Sequence, residues 1–205
     1  MNQLDEICKF YEYELMKIIS RNMIEIKKED KFISIVAYYN NMKKVNFKSF
    51  SYNESNKINI LIDKLKQGES IALVSDAGTP LISDPGFKLV RAAQENQIQV
   101  IPVPGACAAI AALSAVGLPS DRFSFEGFLP SKQSQRVLQL EKLKHETQTL
   151  IIYEAPHRIL DCVKDMVNVF GADRPVGFAR EITKTFETIK KMTLIELQHF
   201  IENDH

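Results

Sequence analysis

The feature that most constrains this chain is an apolar run, Ile71 to Val74, that stops at Ser75-Asp76 and is followed by Gly78, Pro80, Pro85 and Gly86. A short apolar run closed by Gly/Pro punctuation predicts a buried strand feeding a rigid loop at its carboxyl end. In open α/β sheets that end is where ligands bind. A second loop of the same kind, IPVPGACAA (101–109), follows about one crossover later. Around these loops, Ile58, Leu61, Ile62 and Leu65 predict an amphipathic helix over 57–67, ended by Gly68. The order continues as strand 71–74, helix 86–95, strand 99–103 and helix 106–116. That alternation predicts an α/β fold of parallel βαβ units with right-handed crossovers.

Before this region the chain is charged, with Leu4, Ile7, Tyr11, Leu15, Ile18 and Ile19 at helical spacing, and 33–39 fits a strand or a helix end. The break at Gly117-Leu-Pro-Ser-Asp121 divides the sequence into an α/β domain over 1–119 and a second over 120–205. The second reads as strand 122–128, polar helix 131–146, strand 149–153, helix 158–170, strand 176–179 and helix 194–202.

Composition excludes several classes. With 205 residues, 45% hydrophobic and 25% charged, the chain is an ordinary globular size and mix. A formal net charge of zero gives no global attraction to nucleic acid. Cys8, Cys107 and Cys162 are odd in number and form no CxxC, so neither a disulfide framework nor a metal site is expected. A reducing cytoplasm is the simplest compartment. The N-terminus has no apolar signal region, and the most apolar stretch, 98–118, is broken by Pro102, Pro104, Gly105 and Gly117. A soluble protein without a membrane helix is expected.

Each loop carries a functional and a bland reading. At 76–80, Gly78 permits close approach of a ligand, the prolines restrict the loop, and Asp76 can accept hydrogen bonds from an amine or ribose; alternatively Asp76 caps a tight turn. At 104–108, small residues let a helix N-terminus approach a ligand or simply a neighbouring strand. Cys107 has no nearby His in sequence and reads as a small buried hydrophobe. At 153–158, Glu154, His157 and Arg158 stand together at a strand end, with Pro156 placed to open the next helix. The alternative is a local Glu154–Arg158 ion pair with His157 as a cap. At 179–187, Arg180 and Lys184 suit phosphate contacts or an exposed charged helix start.

Neither GxGxxG nor GxxxxGK[ST] occurs. Taken together, SDAGTPLISDPG (75–86), PVPGACAAIAALSAVGLPSDRFSFEGFLP (102–130), TLIIYEAPHRI (149–159) and AREITKTFE (179–187) closely resemble one family. It is the bacterial small-subunit (16S) ribosomal RNA cytidine 2′-O-methyltransferases of the tetrapyrrole methylase (class III) fold, and the likeness runs from about residue 51 to about residue 202. The resemblance implies S-adenosylmethionine held between two α/β domains, with contacts from Asp76, Ala77, Gly78, Thr79, Ile82, Cys107, Ala108, Glu154 and Ala179. It implies methyl transfer to the 2′-oxygen of a cytidine ribose, with Asp76, Glu154 and His157 as unranked candidates for the base. RNA of the small ribosomal subunit would be contacted by Lys132, Arg136, Arg158, Arg180 and Lys184, and family members typically pair as homodimers.

The likeness has limits at both ends. Family members open with a strand and an ATPIGNLxDIT loop, of which Asn2-Gln-Leu-Asp-Glu-Ile7 matches only the tail. Glu29-Asp30-Lys31-Phe32 and Tyr52-Asn-Glu-Ser-Asn56 stand where the family has an acidic-Thr-Arg element and a His-rich stretch. The first strand of the N-terminal domain and the last of the C-terminal domain are expected to be missing, which predicts weak cofactor binding. Two other readings stay open: a non-catalytic remnant of the same fold that binds RNA or a partner, and a methyltransferase acting on a small tetrapyrrole. The second of these is disfavoured by Thr79, which stands where tetrapyrrole enzymes carry the Asp of a Gly-Asp-Pro turn.

Overall fold

A computed structural model describes residues 35–38, 45–46, 55–75 and 78–204, with side chains excepted at 35–38, 45–46, 55–57, 70 and 74. The helix expected over 4–19 and the divergent motifs at 29–32 and 52–54 lie outside the described residues, as do Asp76 and Ala77. The chain forms two compact units, 1–106 and 107–205. The division by contacts falls one helix earlier than the Gly117 break in the sequence.

In the first unit, strands β1 (Ile35–Tyr38), β2 (Val45–Asn46), β3 (Ser70–Val74) and β4 (Val100–Pro102) form one sheet in the order β2-β3-β1-β4. Strand β1 is antiparallel to both β3 and β4, and β2 is parallel to β3. The expected pair β3 and β4 therefore runs in one direction, but β1 lies between them. The parallel relation expected of β3 and β4 is present, and the IVAY segment between them makes the sheet mixed, a common arrangement in α/β folds.

Helices α1 (Ser55–Lys66) and α2 (Phe87–Glu95) close over the core of this unit. Leu61, Ile62 and Leu65 fall on one face of α1 at the 3.6-residue period, and they meet Ile71, Leu73, Leu89, Ala93 and Ile98. Leu65 and Ala93 are fully buried.

The second unit holds α3 (Ala108–Ala115), β5 (Phe123–Phe128), α4 (Gln133–Leu143), β6 (Thr149–Tyr153), a 3₁₀ turn (Pro156–Arg158), α5 (Ile159–Phe170), β7 (Pro175–Arg180), β8 (Thr188–Thr193) and α6 (Leu194–Glu202). Here β5 and β6 pair in parallel around α4, as the alternation predicts. Strand β7 instead pairs antiparallel with β8, in register from Pro175↔Thr193 to Arg180↔Thr188. The segment after β7 is thus a hairpin connection rather than a helix start. Helix α6 begins where the sequence places it because Thr193 and Glu196 form a capping box. A second core joins Leu129, Leu140, Cys162 and Val169.

Candidate functional site

The loop after β3 is fixed mainly by backbone conformation. Gly78, Leu81, Ser83 and Gly86 all take positive φ, at 75°, 73°, 55° and 128°. Glycine is required at 86, since a Cβ there would stand 2.7 Å from Cδ2 of the buried Leu73. At Gly78 the nearest neighbour of a Cβ would be the Ala106 carbonyl at 3.6 Å, an ordinary contact, so its role rests on φ. The Thr79 hydroxyl donates to that same Ala106 carbonyl at 2.8 Å, joining this loop to the residues just before Cys107. Ile82 is exposed.

The cluster after β6 is fixed by charge. The Glu154 side chain is only 3% exposed. Its Oε1 accepts from the Ala155 amide at 2.8 Å and from Arg158 through Nε at 2.8 Å and through Nη2. Nη2 of Arg158 also donates to the Leu129 carbonyl at 3.2 Å. Oε2 of Glu154 is buried without a hydrogen-bond partner of normal geometry among the described residues. Beside this carboxylate lies the Cys162 thiol, which burial, and then the Glu154 charge, push up to about 12. The bland reading of 153–158, a local Glu154–Arg158 pair, is the geometry observed. His157 is exposed within the 3₁₀ turn and makes no cap.

One expectation is corrected. Arg136 is 4% exposed, and its Nε donates to Asp165 Oδ2 at 2.7 Å. Nη1 holds the Ser131 carbonyl at 3.2 Å, and Gln133 donates to the other Asp165 oxygen at 3.0 Å. A guanidinium enclosed this way cannot reach an RNA phosphate; it ties the turn after β5 to α5. Lys132 is exposed, whereas Arg180 pairs with Asp204 and Lys184 with Glu181 at 3.1 Å.

Within the second unit, a cavity of about 420 Å³ is lined by small residues of α3, including Ala108 and Ala109, by Tyr153 and Glu154 at the end of β6, and by Ala179 and Lys184. Its size and mostly apolar walls fit a ligand as large as a nucleoside. Among the sequence-assigned positions it therefore gathers Ala108, Glu154, Ala179, Arg180 and Lys184.

Tyr153 was not assigned a role by sequence reasoning. Its hydroxyl accepts from the Ala109 amide at 3.0 Å, and its ring meets Phe125 and Phe128 edge-on at 5.0 and 5.7 Å. Burial raises the Tyr153 phenol, the Ala109 amide opposes that, and Cys107 adds to the rise. The signal was present in the sequence, because an aromatic with a polar tip ends an apolar strand. Among the described residues, no helix is long and apolar enough to cross a membrane.

Residues 12–198 match the family model for Tetrapyrrole (Corrin/Porphyrin) Methylases. The chain is also similar to proteins named ribosomal RNA small subunit methyltransferase I. It is 56% identical to that of Pseudomonas aeruginosa over 153 residues, covering 75% of this chain and 54% of the relative. For Haemophilus influenzae the identity is 53% over 170 residues, covering 83% and 60%. For Vibrio cholerae it is 49% over 187 residues, covering 91% and 65%. The chain thus spans a little over half to about two thirds of these relatives.

Proposed function

The chain belongs to the tetrapyrrole methylase family, and from that premise we propose that it carries out S-adenosylmethionine-dependent methylation of small-subunit ribosomal RNA, at the ribose 2′-oxygen of a cytidine. The observation that carries this reading is the identity of about half, over 75–91% of the chain, to relatives named ribosomal RNA small subunit methyltransferase I. The compartment would be the cytoplasm, the partner the small ribosomal subunit, and the assembly a homodimer.

The cofactor supplies a methyl group already activated on a sulfonium centre. The protein's residues then bind and orient it. By the family resemblance, the contacts proposed are Asp76, Ala77, Gly78, Thr79, Ile82, Cys107, Ala108, Glu154 and Ala179. The small residues Ala108 and Ala179 leave room along the cavity wall. Glu154 is enclosed by Arg158, so its part is to hold the strand end rather than to take a proton from a ribose. Of the remaining base candidates, Asp76 and His157, the latter is exposed at the turn. Much of the rate would then come from alignment of hydroxyl and methyl. RNA contacts fall to Lys132, Lys184, Arg180 and the exposed part of Arg158.

Radiolabelled methyl transfer to small ribosomal subunits tests this reading, with Gly78→Arg as the control for a blocked loop. Label in the RNA with the wild type and none with the variant is expected. A folded wild type that transfers no label would overturn it.

A further inference from the structure

We propose that Tyr153 is a positioning residue for the cofactor wall formed by Cys107 and Ala108, acting through its hydroxyl on the first turn of α3. This inference rests on the methyltransferase reading above. Helix α3 starts at an N-cap, Cys107, that offers no side-chain hydrogen bond of its own. The first amides of a helix have no partner within it and need an acceptor from elsewhere. Ala109 is 4% exposed, so water cannot supply one freely. The acceptor comes from 44 residues away: the Tyr153 hydroxyl, at 3.0 Å.

The tyrosine is itself held. Its ring is clamped edge-on by Phe125 and Phe128, and its backbone is paired with Phe128 in the β5–β6 ladder. The start of α3 is therefore pinned to the end of β6. These two elements present Ala108 and Glu154 to the same cavity. Tyr153 itself lines this cavity, but its hydroxyl is taken by the Ala109 amide, so its part is to set where the wall stands.

Tyr153→Phe removes one oxygen and keeps the ring; Phe125→Leu loosens the ring clamp and keeps the hydroxyl. Two readouts separate tether from general stability: amide hydrogen exchange over 107–111 in the free protein, and calorimetric titration with S-adenosylmethionine alongside the KM-against-kcat split for methyl transfer. Tyr153→Phe is expected to speed exchange in that turn, and to raise both the dissociation constant and the cofactor KM about three- to tenfold with kcat held, the scale of one buried hydrogen bond. Phe125→Leu is expected to lower the melting temperature with a smaller change in affinity. Wild-type affinity in Tyr153→Phe, or an apparent kcat that falls with the folded fraction while KM stays at the wild-type value, would overturn the inference. A wild type that binds no cofactor would instead remove the functional reading on which it stands.

Discussion

The loop after β3 and the cluster after β6 occupy equivalent places at strand ends, yet they are held in different ways. The first depends on backbone conformation: positive φ at Gly78, Leu81, Ser83 and Gly86, with Thr79 as its long-range side-chain tie. The second depends on buried charge: Glu154 on Arg158, and below it Asp165 on Arg136. A loop fixed by conformation needs particular residues at particular angles and tolerates few substitutions in the chain itself. A loop fixed by charge needs its partners: Arg158 four residues from Glu154, and the Leu129 carbonyl 29 residues from Arg158.

The comparison is broken most severely at Asp165. Asp165→Ala leaves Arg136 buried without its counter-ion, and a loss of about 3–5 kcal/mol is expected from urea unfolding. A loss below about 1 kcal/mol would show that the pair does not hold the turn after β5. Next in size is Gly86→Ala. Its φ of 128° and the 2.7 Å approach to Leu73 predict about 2 kcal/mol of destabilisation, measured the same way. Unchanged stability would mean that backbone conformation does not fix the first loop.

The smallest effect at neutral pH is the chemistry of Cys162. Its thiol, pushed up from 9.0 to about 12, stays protonated in the folded state where an unfolded chain ionises. The stability this group contributes is fully present below pH 9 and is lost as pH rises toward 12, because the unfolded state binds fewer protons there. Alkylation of the native protein at pH 9 should label Cys107 and spare Cys162, with both labelled in urea. Rapid native labelling of Cys162 would contradict the closed environment beside Glu154.

Much of the element order was legible because it rests on local signals. The apolar runs and Gly68 place helices and strands to within a few residues. Pairing was less legible. Nothing local in 35–38 says that it lies between β3 and β4, and the lysine pair in TIKKMT hides the alternation of β8. At the site, the motifs led to Glu154 and Arg158 and offered their pairing as one of two readings, the one observed, while the cap expected of His157 is not formed. Arg136 was misread because an Arg on a polar helix looks solvent-facing until Asp165, on another helix, is seen to enclose it.

The central claim is that this chain retains a site for S-adenosylmethionine. Calorimetric titration of the purified chain tests it most directly, run in parallel with a Gly78→Arg variant shown by circular dichroism to be folded. The account predicts saturable binding near one cofactor per chain, even if weak, and its loss in the variant. A folded wild type that gives no saturable heat with S-adenosylmethionine would contradict it.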